Sequence, residues 1–409
     1  MNCKIGEAKS NYKPIGDYIQ LIDERNKGLK VTSLLGLSIS KQFIKSVANI
    51  IGTDMENYKI IRKNQFACST MQVRRDKKMP IALYTENEPS IISQAYPIFE
   101  IIDTSVLFPE YLMMWFTRSE FDREACFHAV GGVRGSLEWE DFCGMKLPIP
   151  SIEKQREIVK EYNTIVNRIA LNEKLNQKLE DTAQSIYKQW FVDFEFPNKN
   201  GKHYKSSGGN MIWCEELEKE IPEGWEVGKL KDISNCLDYK RKPLSELQRS
   251  DFKGVYPYYG AMGIVDYVKE YVYDGEFLLL SEDGVNVIDA YGHPSVFLIW
   301  GKFWVNNHAH VLDGKDDFTV RFLYLMLKDV NVSDIVTGAA QPKINQENMN
   351  SIKIIIPNTN ILNKFNLMIN PLFDNYRNMK EQIVRLEKMK DLFLSKMTKV
   401  EETTEKELS

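Results

Sequence analysis

The sequence lacks any run of about 18 uncharged apolar residues, the length a membrane-spanning helix needs. Its opening, Met1-Asn2-Cys3-Lys4-Ile5-Gly6-Glu7, has no basic patch leading into an apolar stretch, so a secretory signal is not expected and the chain reads as cytoplasmic. Cys3, Cys68, Cys126, Cys143, Cys214 and Cys236 form no C-x-x-C pair, which fits thiols in a reducing compartment better than a disulfide frame or a zinc site. The short motifs of phosphate, dinucleotide and zinc-hydrolase chemistry are missing too: no G-x-x-x-x-G-K-[ST], no G-x-G-x-x-G, no H-E-x-x-H. Asn-Pro-Pro-aromatic and Asp-Pro-Pro-aromatic signatures are also absent, and Ser281-Glu282-Asp283-Gly284 pairs two carboxylates without an acid-x-lysine arrangement nearby. The chain is therefore expected to be non-catalytic, with no metal or cofactor of its own. Nor is there a basic excess: the formal net charge of −4 weighs against a nucleic-acid surface covering the whole molecule. Charge is unevenly placed, however. Lys59, Arg62, Lys63, Arg74, Arg75, Lys77 and Lys78 are interrupted by one acid, Asp76, while Glu401-Glu402 begin an acidic tail.

What the sequence does contain is a repeat. At a constant offset of 207 positions, Gly131 matches Gly338, Leu137 matches Ile344, Glu140 matches Glu347 and Phe142 matches Met349. The register continues through Met145 and Ile352, Lys146 and Lys353, Ile149 and Ile356, and Pro150 and Pro357. Beyond the prolines it runs on through Ile165 and Leu372, Leu179 and Leu386, Glu180 and Glu387, and Ile186 and Phe393. Upstream of Gly131 and Gly338 the halves disagree, so two globular parts share an exit and differ in content.

Each exit leads into a long apolar stripe. Ile158, Tyr162, Ile165, Ile169, Leu175, Leu179, Ala183, Ile186 and Trp190 recur at helical spacing, interrupted by Asn172 and Asn176. Ile361, Phe365, Met368, Leu372, Tyr376, Met379, Ile383, Leu386, Met389, Phe393 and Met397 form the second. Such stripes need a partner; mutual pairing, with buried asparagines setting the register, is favoured over packing of each on its own domain. Between the halves, 197–221 is rich in Gly, Ser and Asn and reads as a linker. Strands are expected over 58–61, 65–73, 81–84 and 95–102 in the first part, with a helix over 109–125. In the second they are expected over 254–259, 264–273, 276–281, 295–299 and 309–312, with a helix over 322–328.

Leu147-Pro148-Ile149-Pro150-Ser151-Ile152-Glu153-Lys154-Gln155-Arg156-Glu157-Ile158-Val159, followed by Gln189-Trp190-Phe191-Val192-Asp193-Phe194, resembles the central conserved region of type I restriction-modification specificity subunits. Lys205-Ser206-Ser207-Gly208-Gly209 and then Ile221-Pro222-Glu223-Gly224-Trp225-Glu226-Val227-Gly228-Lys229-Leu230 resemble that family's approach to its second recognition domain. The first domain departs from the pattern, opening on Tyr12-Lys13-Pro14-Ile15-Gly16 without the Gly-Trp-Glu element. The resemblance implies an α+β fold: two β-rich target recognition domains, 1–150 and 222–357, and two long helices, 151–196 and 358–400, pairing antiparallel as a coiled coil. A linker at 197–221 and a tail at 401–409 complete this division, with a pseudo-two-fold repeat running through it. It further implies double-stranded DNA, two methyltransferase subunits and restriction subunits as partners, with S-adenosylmethionine, ATP and magnesium held by those partners.

Phosphate contacts give affinity and base-edge contacts give specificity, so candidates are basic and amide groups on loops. In the first domain these are Lys63, Arg74, Arg75, Lys77 and Arg134, the last within Gly131-Gly132-Val133-Arg134-Gly135. The repeat register makes Gln341 its counterpart, beside Lys343; arginine suits guanine and glutamine suits adenine. The second domain adds Lys240, Arg241, Lys242, Tyr258, Tyr259 and His308. His308 and His310, two apart, could share a strand face, but no Cys partner or acidic cluster lies near them in sequence; a strand edge that contacts DNA or caps a turn is the preferred reading. The competing readings are a purely structural coiled-coil adaptor and the DNA-binding subunit of a methyltransferase-only complex.

Overall fold

The computed structural model describes residues 12–46, 53–131, 135–338 and 341–397. Arg134 and the acidic tail lie outside the described residues. The chain forms two compact units, Met1–Leu171 with Gln382–Ser409, and Asn172–Glu381, so that each long helix contributes to both.

In the first unit, strand Tyr12–Pro14 pairs antiparallel with Lys146–Pro148, the segment that ends on the repeat's proline. Behind it lies a four-stranded antiparallel sheet in the order Ile19–Ile22, Ile98–Ile101, Gln65–Cys68, Ile81–Leu83. A second four-stranded sheet runs Phe43–Lys45, Leu34–Leu37, Ser90–Ile92, Lys59–Ile61. Stacked Phe66 and Phe99 rings, 5.0 Å apart, centre a core with Phe116, Phe121 and Phe142. Two expected elements are shorter than their apolar patterns. The strand over 65–73 stops at Cys68, and beyond a left-handed Gln72 (φ 63°) Val73–Asp76 forms one helical turn. The helix over 109–125 breaks at Arg118, whose extended backbone separates Pro109–Phe116 from Ser119–His128.

The second unit repeats this plan. Glu226–Lys229 pairs antiparallel with Lys353–Ile356, the equivalent of Lys146–Pro148. Its large sheet runs Ser234–Cys236, Ala309–Gly314, Tyr273–Ser281, Val296–Val305, the same sequence of roles as Ile19–Ile22 through Ile81–Leu83, and then adds Lys253–Gly260 and Gly263–Val268. The strand expected over 264–273 is two strands, divided where Lys269 N–H donates to Phe252 O and Val272 N–H to Phe303 O, both 3.0 Å. Helix Val320–Leu327, capped by the Thr319 hydroxyl, buries nearly its whole length. The stretch expected as a linker is folded: Met211–Cys214 and Lys219–Pro222 form a hairpin. Phe196 stacks between Tyr204 and Trp225 at 4.5 and 5.0 Å, and burial of those rings outweighs the local glycines and serines.

Three apolar pairs that match across the repeat are core positions. Leu137 and Ile344, Phe142 and Met349, and Met145 and Ile352 are all buried. The long helices are Ile152–Tyr187, extended by a π turn at Lys188–Val192, and Thr359–Lys396. Thirty-six residues give the first a length of about 54 Å. Its start is fixed by buried Gln155, which donates to Val106 O and Pro150 O and accepts from Phe108 N–H, each at 2.8 Å. Asn172 and Asn176 lie on its stripe and are buried. On the second helix Met368 and Met389 are exposed; Leu362, Ile369 and Phe373 take the buried positions. Pro371 interrupts that helix's backbone bonding, and Arg321 braces it there through Asn370 O at 2.9 Å and Asp374 at 2.7 Å.

Candidate nucleic-acid interface

The same loop is built once in each unit. Val130 and Ser136 exchange backbone hydrogen bonds of 2.8 and 2.9 Å; Thr337 and Lys343, 207 positions on, do the same at 2.9 and 2.7 Å. Each loop turns on a glycine with left-handed backbone, Gly131 (φ 97°) and Gly338 (φ 85°). A Cβ on Gly338 would lie 2.4 Å from Gln341 O, so this turn requires glycine. Gln341 is exposed. The first loop exits through Leu137 N–H to Thr70 O (2.9 Å), the second through Ile344 N–H to Glu282 O (2.8 Å).

The basic candidates of the first domain separate into two groups. Arg74 braces the loop, its guanidinium donating to Ala129 O at 2.6 Å and Gly131 O at 3.1 Å. Arg75 is paired with Asp76 at 2.6 Å, which holds the Asp76 carboxyl below its ordinary range. Lys63 reaches the Asn87 side chain at 2.8 Å, and Lys77, with left-handed backbone, is exposed. Lys63, Arg74 and Lys77 are all exposed, and Arg74 alone among them braces the loop.

In the second domain the structure corrects two candidates and demotes a third. Tyr258 is 1% exposed, its hydroxyl accepting the Leu244 N–H at 2.9 Å, so it belongs to the core. Arg241 points inward, bonded to Glu282 at 2.7 Å, Ala309 O at 2.9 Å and Asp238 at 3.1 Å. Tyr259 is half-buried edge-on to Phe303, and burial raises its phenol pKa. Lys240 and Lys242 stay exposed. Lys343 pairs with Glu282 at 2.9 Å, which raises its pKa. His308, with 46% of its side chain exposed, meets Asp283 at 2.9 Å.

Beneath the second loop lies a network of buried charge. His310 is 1% exposed, with Nδ1 2.5 Å from Asp238 and Nε2 2.8 Å from Ile344 O. Burial alone would raise the Asp238 and Glu282 carboxyls. Contacts with His310, Val311 N–H and Arg241 hold Asp238 below its ordinary value, and Arg241 with Lys343 does the same for Glu282. Cys236, Asp238 and His310 bring their ligand atoms within 4.8 Å of one another. Their chemistry is already committed: burial pushes the Cys236 thiol up to about 12, and Asp238 is bound by Arg241 and His310.

The family model for the type I restriction modification DNA specificity domain matches residues 57–181 and 222–388, well over half the chain. This chain belongs to that family. The type I restriction enzyme MjaIX specificity subunit of Methanocaldococcus jannaschii is 28% identical over 320 residues, covering 73% of this chain and 70% of that protein. A putative type I restriction enzyme specificity subunit of Haemophilus influenzae, S.HindORF215P, is 36% identical over 148 residues, or 36% of this chain and 37% of the relative. Among solved structures, the S subunit of a type I restriction-modification system from M. genitalium shares the fold, with a TM-score of 0.54 at 15% identity and 96% of each chain covered. The protein is a type I specificity subunit with two DNA recognition domains.

Within this specificity subunit, the sequence reading missed the network under the second loop. Its members lie far apart in the chain, with Asp238 and His310 separated by 72 positions. Glu282-Asp283 and the His308–His310 spacing were the only local signals, and neither reveals that the strands carrying them are neighbours.

Proposed function

We propose that this specificity subunit reads an asymmetric bipartite target in double-stranded DNA, one half per recognition domain, and itself carries no catalytic centre. The observation that carries the reading is the pair of equivalent glycine-hinged loops on a repeated sheet plan, whose contents differ. Gly131-Gly132-Val133-Arg134-Gly135 offers an arginine where Gly338-Ala339-Ala340-Gln341-Pro342 offers a glutamine, and these side chains prefer different bases. Lys63, Arg75, Lys77, Lys240, Lys242 and His308 supply backbone contacts that orient the duplex without reading it.

The long helices serve as an antiparallel coiled-coil spacer between half-sites, and the repeat acts as a pseudo-two-fold. Within the first unit, Tyr162, early in one helix, meets Phe393, late in the other, at 6.4 Å. Within the second unit the order is reversed, with Phe191 against Phe365 at 4.8 Å. A pseudo-symmetric chain suits two copies of a methyltransferase subunit, with restriction subunits joining them. S-adenosylmethionine, ATP and magnesium belong to those partners.

The test is the methylated motif written by the complex with Arg134→Ala or Gln341→Ala. Each variant is expected to relax one half-site, a different one in each case, by about 5- to 100-fold in discrimination. Equal weakening of both half-sites by either variant contradicts the assignment.

A further inference from the structure

We infer that Glu282 and His310 are positioning residues for DNA reading: they fix the backbone of Pro342, Lys343 and Ile344 so that the adjoining Gln341 meets one base in a defined pose. The inference rests on the reading of that loop as a base-contacting element.

Four contacts converge on its exit. The His310 ring donates through Nε2 to Ile344 O at 2.8 Å, and Ile344 N–H donates to Glu282 O at 2.8 Å. Gly284 N–H donates to Pro342 O at 3.2 Å, and the Glu282 carboxylate holds the Lys343 ammonium at 2.9 Å. Behind these, Arg241 links Glu282 to Asp238, and Asp238 orients the His310 ring. The two carboxylates are offset by Arg241 and Lys343, so the cluster is satisfied internally and rigid. Such a network costs desolvation that an apolar core would avoid, and its return is geometric: it specifies one position for the backbone it binds. A base contact needs that specification, because a glutamine displaced by about 1 Å loses its paired hydrogen bonds. In the first domain one guanidinium, that of Arg74, performs the bracing. The two loops share an equivalent backbone bond at the exit but are braced by different side chains, so each can be loosened alone.

The experiment uses the assembled complex of this chain with its companion methyltransferase subunit. It compares the methylated motif and the salt dependence of DNA binding for Glu282→Gln, Lys343→Met and Gln341→Ala. Glu282→Gln keeps the shape under the loop and removes the charge that holds Lys343. The expected result is about 5- to 100-fold weaker discrimination at the half-site that Gln341→Ala also relaxes, a sharp other half-site, and an unchanged salt slope. If Glu282→Gln fails to assemble, Lys343→Met breaks the same ion pair from the solvent side and carries the same expectation. Wild-type sharpness in these variants while Gln341→Ala relaxes the motif overturns the positioning role and leaves the loop reading intact. For Lys343→Met, uniform weakening with a salt slope reduced by about one also overturns it, because that is the mark of a lost phosphate contact. If Gln341→Ala itself leaves the motif sharp, the loop does not read DNA and both proposals fall.

Discussion

Tyr258 and Tyr259 are adjacent on one strand with a register irregularity between them, and one is fully buried while the other is half-buried against Phe303. Composition gives no sign of which, and the structure decides it through Leu244, whose N–H is bonded to the Tyr258 hydroxyl. Tyr258→Phe leaves that donor without its acceptor in a buried site, at a cost of about 1–3 kcal/mol. The expected outcome is a lower melting temperature with an unchanged methylated motif; an altered motif at unchanged melting temperature places Tyr258 at the DNA instead. Arg241 was equally opaque, since Lys240-Arg241-Lys242 reads as one basic loop and only the arginine finds carboxylates behind it. By contrast Gly131 and Gly338 were legible from sequence because a left-handed turn demands glycine at both ends of the repeat.

At the scale of elements, long helical patterns were easy to read and short strands were not. A stripe sustained over nearly ten turns survives local exceptions such as Met368 and Met389, whereas 65–76 holds a strand, a left-handed residue and a helical turn in twelve positions. The hairpin and stacked rings within 196–225 were hidden because polar turn residues dominate the count while Phe196, Tyr204 and Trp225 determine the packing. If the long helices set the spacing between half-sites, inserting a matched heptad into the middle of both lengthens each by about 10 Å, close to three base-pair steps of about 3.4 Å. The expected outcome is a methylated motif with the same two halves and an unread gap longer by about three base pairs. A constant gap across a series of one, two and three matched heptads sinks the spacer role.

For the molecule as a whole, the duplication was visible in sequence only from Gly131 and Gly338 onward, where core positions coincide. Upstream, Ile19–Ile22 and Ser234–Cys236 share no residue pattern yet occupy the same place in sheets of the same order, because strand pairing constrains the backbone more than the side chains it carries. A common plan with divergent contents is what a reader of two unlike half-sites requires, whereas a structural adaptor has no need of it. The most direct measurement is the adenine-methylation pattern of genomic DNA from cells expressing this chain with its companion methyltransferase subunit, beside cells expressing the methyltransferase alone. A split motif with two different halves, present only when this chain is present, is the predicted result. A stable complex that methylates no motif, or a motif already written by the methyltransferase alone, contradicts the account.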